Sequence, residues 1–391
     1  MSAADVKPIA LYVHWPWCVR KCPYCDFNSH AIGSGADEAG YIRALLKDVD
    51  AAVALAGRRP VSSVFFGGGT PSLMSVAGFE TLMNGLRERL PFAENAEITL
   101  EANPGTHEAA RFAGYVANGV NRFSIGVQSF NDERLKALGR IHDRRQALQA
   151  VETALKLVDD INLDVMYALP GQLMDGAEED ARTAVASGAT HLSFYELTIE
   201  EGTAFYKREP AGLPDSDTAA EMGETVASIL AQAGFEHYEV SGYAKPGHRC
   251  RHNLNYWTFG DYIGVGAGAH GKITTKGGIL RTERRANPQL YMDDAANGRF
   301  ASQLSFVLAE SLPFEFMLNV LRLYDGVPVS LWEEATGLSF DVIGKTVDAL
   351  RDEGLLAKDP QRLVCTPLGR NWLSTVQELS LIHISEPTRQ E

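Results

Sequence analysis

The sequence predicts an α/β fold, a partial (β/α)6 barrel of the TIM type, followed by a C-terminal α-rich domain of winged-helix type. Two observations predict the barrel. Six short runs rich in β-branched and aromatic residues alternate with helical patterns, as parallel strands joined by right-handed helical crossovers do. Polar or glycine residues close or follow all six runs, and barrels carry their chemistry at these carboxyl ends of the strands. The second observation favours the barrel over an open, doubly wound sheet.

The predicted strands share this composition and cover residues 9–15, 61–66, 97–101, 122–127, 161–166 and 191–197. Between them, apolar residues recur at helical spacing. One predicted helix carries an apolar face made of Ile42, Leu45, Val49 and Val53. Another carries the face Leu148, Val151, Leu155 and Val158. The alternation ends near residue 236, so residues 1–235 form the predicted barrel.

Residues 236–300 are predicted to connect the barrel to a C-terminal domain formed by residues 301–378. The connecting region is rich in glycine, aromatic and polar residues and shows no helical period. In the C-terminal domain, one predicted helix has the apolar face Phe340, Ile343, Val347 and Leu350 and ends at Gly354. Residues 355–357 and 362–365 predict a hairpin, and Pro367 suits the first turn of a closing helix.

The charge distribution argues against a nucleic-acid partner. A winged helix can bind DNA, but the helix in the recognition position has more acidic than basic residues: Asp341, Asp348, Asp352 and Glu353 against Lys345 and Arg351. The whole chain of 391 residues has a formal net charge of -14. Such a surface repels phosphate, so we expect the C-terminal domain to pack or to dock a partner instead.

The N-terminus shows no secretory signal, and the C-terminus does not fit the pattern of the chain before it. The first eight residues lack a basic segment followed by an apolar one, and no apolar run approaches the roughly 18 residues that span a bilayer. We therefore expect a cytoplasmic protein, at most peripheral at the membrane. Residues 379–391 are predicted to be a non-native tail, because residues 382–391 continue no upstream pattern and resemble translated adapter or vector sequence.

Three of the five cysteines, Cys18, Cys22 and Cys25, fall within eight residues, directly after the first predicted strand. Spacings of three and two residues let one loop present three thiolates to three irons of a [4Fe–4S] cubane. The fourth iron then has an open position for the amino and carboxylate groups of S-adenosylmethionine (SAM). Reduction of such a cluster can cleave SAM to methionine and a 5′-deoxyadenosyl radical. A zinc site with His30 as fourth ligand is the alternative.

Further candidate SAM ligands follow the later strands. Gly67, Gly68, Gly69 and Thr70 follow the second strand, where glycines allow close backbone approach and amides can bind a carboxylate. Glu101 ends the third strand and is placed to accept from ribose hydroxyls. Gln128 and Asp164 take equivalent places on later strands, and Arg140 could neutralise a carboxylate.

The chain resembles the oxygen-independent coproporphyrinogen III oxidase family, and within it the branch of heme chaperones called HemW. The resemblance covers residues 9–375 and is carried by the runs YVHWPWCVRKCPYCDFNSH, GGGTPS, EANPG, IGVQSF, LGRIH, LDVMYALPGQ and HNLNYW. It implies a six-unit partial barrel with a C-terminal helical domain, and a cluster bound by the three clustered cysteines. It also implies that nine residues contact SAM: Tyr12, Tyr24, Gly68, Gly69, Thr70, Glu101, Gln128, Arg140 and Asp164.

Two features separate the chain from the true oxidative decarboxylases of this family. Those enzymes have a fourth cysteine where this chain has Phe27, and a long N-terminal extension over the substrate, whereas only 17 residues precede Cys18 here. The resemblance therefore implies a heme chaperone without oxidase activity that delivers heme to respiratory acceptor proteins. Coproporphyrinogen oxidation is the alternative function, and a homodimer is left open.

The resemblance places heme at the HNLNYW motif, residues 252–257. An imidazole can be an axial iron ligand, so His252 is the first candidate, and Tyr256 and Trp257 offer flat apolar surface to a porphyrin. Cys250 is close enough in sequence to compete as a thiolate ligand, and His270 is the third candidate.

Overall fold

The computed structural model describes residues 7–33, 36–105 and 109–382 and contains the predicted barrel. Its strands in the first half are β1 (Ile9–Trp15), β2 (Trp17–Cys18), β3 (His30–Ala31), β4 (Val61–Gly68), β5 (Phe92–Ala102), β6 (Arg122–Gln128), β7 (Asp160–Tyr167) and β8 (His191–Glu196). Those in the second half are β9 (Glu236–Glu239), β10 (Gly242–Ala244), β11 (Tyr262–Val265), β12 (His270–Thr275), β13 (Gly278–Glu283), β14 (Gln303–Phe306), β15 (Val327–Pro328) and β16 (Arg362–Leu363).

The six predicted strands are β1, β4, β5, β6, β7 and β8, and they lie side by side in this order, all parallel. Beyond β1 the sheet continues with β11, which is parallel to β1, and then with the antiparallel strands β12, β13 and β14. Beyond β8 it continues with β10 and β9. The outermost strands, β14 and β9, do not pair with each other within the described sheet, so the barrel is open.

Helices cover the outer face of the sheet and form most of the C-terminal domain. Those of the barrel are α1 (Glu38–Ala56), α2 (Val76–Arg89), α3 (Phe112–Ala117), α4 (Asp132–Ala137), α5 (Arg144–Leu155), α6 (Met174–Ala186), α7 (Ala204–Lys207) and α8 (Ser216–Gln232). Those that follow are α9 (Arg251–Trp257), α10 (Pro288–Ala296), α11 (Leu312–Val320), α12 (Leu331–Thr336), α13 (Asp341–Asp352), α14 (Pro367–Asn371) and α15 (Leu373–Ile382).

Of the two predicted apolar helix faces, one is buried largely as predicted and the other is shifted. In α1, Ile42, Leu45 and Val49 are buried as predicted. In α5 the buried face consists of Ala147, Ala150, Val151 and Ala154, whereas Leu148 is 36% exposed and Val158 lies beyond the helix. The three alanines let α5 pack close to the sheet. A prediction that gives more weight to leucine than to alanine therefore places the buried face of the helix wrongly.

Alternation along each strand separates the outer core from the barrel interior. On β6, Phe123, Ile125 and Val127 are fully buried in the core between the sheet and the helices. Their neighbours Ser124 and Gly126 face a cavity inside the barrel. Successive side chains of a strand point to opposite faces, so each parallel strand contributes apolar residues to the core and polar residues to the interior.

The predicted connecting region is part of the same sheet. Residues 236–300 contain β9 to β13, and the HNLNYW motif is helical, in α9, although the sequence shows no helical period there. A helix of seven residues is too short to show a period or to be stable alone. It begins where the backbone amides of Arg251 and His252 donate to the carboxylate of Glu97 on β5, both at 3.0 Å. This tertiary contact stabilises the helix terminus.

The C-terminal domain has the predicted elements. In α13, Ile343, Val347 and Leu350 are buried, and Gly354 follows the helix with φ 74°. The predicted hairpin is present as an antiparallel bridge between Leu356 and Cys365. The domain's apolar core continues into the barrel through Tyr238, Ala244, Phe259 and Ile279. The domain therefore packs against the part of the sheet formed by β9, β10 and β13.

The closing helix α15 runs to Ile382, past residue 379, the first residue of the predicted tail. Leu379 packs against the domain core and Ser380 is 2% exposed, so the first residues assigned to the tail belong to the fold. Residues 383–391 lie outside the described residues. Among those described, no helix combines the length and apolar character that crossing a membrane requires. The cytoplasmic location stays a prediction.

Candidate cluster and cofactor site

The three clustered cysteines line a cavity of about 260 Å³ at the carboxyl ends of the parallel strands. Cys18 ends β2, which pairs with β3, and this two-stranded ladder fixes the start and the end of the loop. Cys22 Sγ lies 3.5 Å from Arg140 Nη1, and Cys25 Sγ lies 3.5 Å from Ser29 Oγ. One short loop therefore directs three thiols towards one cavity.

The electrostatics of the thiols suit a bound cluster. Burial raises the pKa of Cys18, and the nearby Cys25 and Cys22 raise it further. Three thiolates this close need a cationic partner, which iron provides, and metal binding releases their protons. No set of three His, Cys, Asp or Glu residues in the described ranges is arranged to share a single metal ion. In a cubane each thiolate binds a different iron, so the residues present fit a [4Fe–4S] cluster with three protein ligands.

The glycine run at the carboxyl end of β4 lies directly against the cysteine loop. A Cβ on Gly69 would lie 2.5 Å from the carbonyl oxygen of Trp17, and a Cβ on Gly68, whose φ is 115°, would lie 2.4 Å from the His14 ring. Any larger residue would push the two loops apart. The amides of Gly68, Gly69 and Thr70 donate to Glu101 Oε2, Trp15 O and Trp17 O, at 3.1, 2.7 and 2.8 Å. Because these amides already donate to protein acceptors, they are not free to bind a ligand carboxylate as expected. The glycines instead allow the backbone at the carboxyl end of β4 to approach the cysteine loop closely.

Two buried carboxyl groups, Glu101 on β5 and Asp164 on β7, face the same cavity. Burial, and then the charge of Asp164, raise the pKa of Glu101 to about 8. Burial also raises the pKa of Asp164, against hydrogen bonds from Ser124 Oγ and Asn162 Nδ2, each at 2.9 Å. Buried carboxyl groups such as these are stabilised by a ligand that donates hydrogen bonds to them, as ribose hydroxyls would.

Gln128 and Arg140 complete the cavity wall. Gln128 has φ 68°, a left-handed conformation that is uncommon for a residue other than glycine, at a bulge between β6 and β7. Its Oε1 accepts from the hydroxyl of Tyr195 at 3.0 Å. Arg140 donates to Asn103 Oδ1 at 2.6 Å and to Gly126 O at 2.7 Å, and its buried Nε has no partner among the described residues. A buried N–H donor of this kind fits a ligand carboxylate.

The structure brings together most of the residues that the resemblance assigns to SAM. Those lining this cavity are Tyr24, Gly68, Gly69, Thr70, Glu101, Gln128, Arg140 and Asp164. Sequence reasoning missed Asn103, Ser124, Gly126 and Tyr195, which line it as well. Alternation could have found Ser124 and Gly126, which precede Gln128 at two-residue steps on β6.

Tyr12 lies instead in a second cavity of about 400 Å³, next to the first. The two cavities share Phe27, Gly68 and Glu101 in their walls. Tyr12 Oη is hydrogen-bonded to His14 Nδ1 at 2.9 Å. Tyr12 is therefore not among the residues that line the first cavity.

The three candidate heme ligands occupy different environments. His252 is 1% exposed, with Ser63 Oγ 3.0 Å from Nδ1 and Tyr256 Oη 2.9 Å from Nε2, and burial lowers its pKa to about 3. Cys250 is 3% exposed, and burial and the nearby Glu97 raise its pKa to about 12, so the thiol stays protonated. His270, in contrast, is exposed and lines the second cavity. Ligation by His252, which stays a prediction, would require the ligating nitrogen to give up its hydrogen bond to Ser63 or to Tyr256.

Comparison with known proteins agrees with this geometry. Residues 12–184 match the radical SAM superfamily model, and residues 307–372 match the HemN C-terminal domain model. The chain is 47% identical to Escherichia coli heme chaperone HemW, with 96% of this chain and 99% of that one covered. It is 42% identical to Haemophilus influenzae heme chaperone HemW, with 96% and 98% covered.

Among solved structures, coproporphyrinogen III oxidase (HemN) from Escherichia coli, described as a radical SAM enzyme, matches with a TM-score of 0.82. Its identity to this chain is 22%, with 97% of this chain and 92% of that one covered, so the likeness shows the fold. The fold, the three-cysteine loop and the relatives agree. The chain belongs to the HemW family of radical SAM proteins.

Proposed function

We propose that this protein is a heme chaperone that holds heme beside a SAM-ligated [4Fe–4S] cluster and delivers it to respiratory acceptor proteins. The observation that carries the proposal is the pair of adjoining cavities, which share Phe27, Gly68 and Glu101. One is built from thiols, glycines and carboxyl groups, and the other is walled by aromatic rings. The bacterial relatives named heme chaperone support the same function.

Each group at the first cavity has a role in this proposal. Cys18, Cys22 and Cys25 bind three irons as thiolates, and Arg140 offers its unpartnered Nε to the carboxylate of SAM. Glu101 and Asp164 accept from ribose hydroxyls, and the glycine run lets SAM approach the backbone. The cluster, when bound, supplies an open iron site for SAM and an electron for its reductive cleavage.

The second cavity suits a flat apolar cargo. Tyr12, Tyr256, Tyr262 and Phe27 contribute aromatic surface to its wall. Phe27 is 61% exposed, so an apolar ring stands at the entrance, where the decarboxylases of the family have cysteine. Burying such rings against a porphyrin is favourable.

The test is a heme-binding and heme-transfer experiment with the full chain carrying its cluster. Heme should bind with a stoichiometry of one and a defined Soret band, and should then appear in a heme-free respiratory acceptor, separated by size exclusion. Serum albumin loaded with heme serves as the control donor. Transfer no faster than from albumin, or heme binding that does not saturate, would count against the chaperone function.

A further inference from the structure

We infer that heme binds in the aromatic-walled cavity between β1 and the β11–β12 hairpin, with His270 as its axial ligand. This inference rests on the proposed function and assigns the cargo to a place and a ligand. The inference is based on which polar atoms of the cavity wall have no hydrogen-bond partner. An axial ligand needs an unoccupied nitrogen, oxygen or sulfur atom that faces the cargo.

The hydroxyl and imidazole groups of the cavity wall, except one, already have partners. Tyr12 Oη and His14 Nδ1 are 2.9 Å apart, and His14 Nε2 lies 2.8 Å from Asn28 O. Tyr256 Oη is hydrogen-bonded to His252 at 2.9 Å, and Tyr262 Oη accepts from Arg281 Nη1 at 3.0 Å. Using any of these atoms as an iron ligand would break an existing hydrogen bond.

His270 is the exception. It begins β12, it is exposed, and its ring has neither a hydrogen-bond nor a stacking partner within ranges 7–33, 36–105 and 109–382. A neutral imidazole with a free nitrogen is the usual protein ligand for heme iron. His270 therefore combines accessibility, a free donor atom and a place in the aromatic cavity.

The backbone around His270 is held rigidly, which a ligand position requires. His270 pairs with Glu283 on β13, and the Gly268 turn before it lies against Asn28, whose Nδ2 donates to Ala267 O at 2.9 Å. A Cβ on Gly264 would lie 1.8 Å from His270 O, so the hairpin strands approach as closely as only glycine allows. The ring thus projects from a fixed strand and not from a loop.

The charge at the border of the cavity suits the heme carboxylates. Lys21 donates to the carbonyl oxygen of Phe27 at 3.0 Å, so an ammonium group lies beside the shared wall. The cavity volume is about 400 Å³ and it opens to solvent, so a bound heme would keep one edge exposed. Partial exposure and a single protein ligand are what a carrier needs if it has to release its cargo.

The test compares ferric heme titrations of the wild-type chain, H270A and H252A by absorption spectroscopy. H270A should shift the Soret band and weaken heme affinity by about ten- to a hundredfold, the scale for losing a group at a metal site. H248A is the matched control, because His248 lies at the amino end of β7, bonded to Asp160, away from the cavity. Its spectrum and affinity should equal those of the wild type.

A second variant, H270G, distinguishes the loss of the iron ligand from misfolding of the chain. In H270G, added imidazole should restore the wild-type Soret band, since free imidazole can occupy the vacated ligand position. The assignment is overturned if H270A keeps the wild-type spectrum and affinity, or if imidazole restores the spectrum of H252G and not of H270G. Those outcomes leave the chaperone function standing. If the wild-type chain itself binds no heme at a defined stoichiometry, the proposed function falls together with the assignment.

Discussion

Ser63 on β4 and His252 on α9 are joined by a buried hydrogen bond of 3.0 Å between Oγ and Nδ1. The same imidazole stacks on Phe65, with ring centroids 5.1 Å apart. Together with the contact between Glu97 and the first turn of α9, this bond fastens the HNLNYW helix inside the barrel. The geometry gives His252 a structural role that can be measured without any heme.

We expect His252→Ala to lower the free energy of unfolding by about 2–4 kcal/mol, because it leaves a cavity and two partners unsatisfied. A double-mutant cycle with Ser63→Ala, measured by urea unfolding, should give a coupling free energy of about 0.5–3 kcal/mol. Additive effects of the two substitutions would show that the hydrogen bond contributes nothing.

Loss of one clustered thiol should abolish the cluster. Anaerobic reconstitution of the wild-type chain should give about four irons and four sulfides, as a cubane requires, with visible charge-transfer absorption. Cys22→Ala should lose that absorption. Cys365→Ala is the matched control, because Cys365 is buried in the C-terminal domain core and should not affect iron content. Stoichiometric zinc without labile sulfide in the wild type would support the zinc alternative instead.

The buried carboxyl of Glu101 should make stability depend on pH. Its pKa is about 8 in the folded chain and about 4.5 without burial, so the folded state holds a proton that the unfolded state releases. The free energy of unfolding should therefore fall as pH rises between these values, by up to about 1.4 kcal/mol per pH unit from this group.

Glu101→Gln removes this titration and keeps an oxygen that can accept from Gly68 N. The variant should be more stable than the wild type at pH 8 and close to it at pH 4.5, measured by urea unfolding of the cofactor-free chain. A difference between the two proteins that does not change with pH would contradict the assignment of the raised pKa.

Coproporphyrinogen III should not be converted to protoporphyrinogen IX, even with a reduced cluster and excess SAM. The reason is that Phe27 stands where the decarboxylases of the family have a cysteine. Product analysis by chromatography, with Escherichia coli coproporphyrinogen III oxidase as the positive control, is the measurement. Product formed at a catalytic rate would favour the oxidase function.

The boundary of the tail can be tested by two deletions. Removing residues 383–391 should leave the thermal midpoint unchanged, because their sequence continues no upstream pattern. Removing residues 379–391 should lower it, because Leu379 packs against the C-terminal core and Ser380 is buried. Equal midpoints for both deletions would show that the end of α15 contributes nothing to the fold.

The sequence by itself determined the parallel strands and the cluster loop. Alternating β-branched runs and helical faces predicted β1 and β4 to β8, because both signals are local and repeat six times. Cys18, Cys22 and Cys25 lie within one loop, so their spacing already fixes which atoms can meet. The sequence also predicted residues of the site at the carboxyl ends of the strands, such as Glu101 and Asp164, because parallel strands bring these ends to one edge.

Only the tertiary structure decided the conformation of the HNLNYW segment and the surroundings of the two histidines His252 and His270. The HNLNYW segment becomes helical because Glu97, far away in sequence, binds its first amides, and no local pattern shows that contact. The burial of His252 and the exposure of His270 likewise depend on which strands neighbour β1. Long-range pairing, between β1 and β11 above all, places His270 in an aromatic cavity, because hydrogen bonds between strands join residues that the chain separates by some 250 positions.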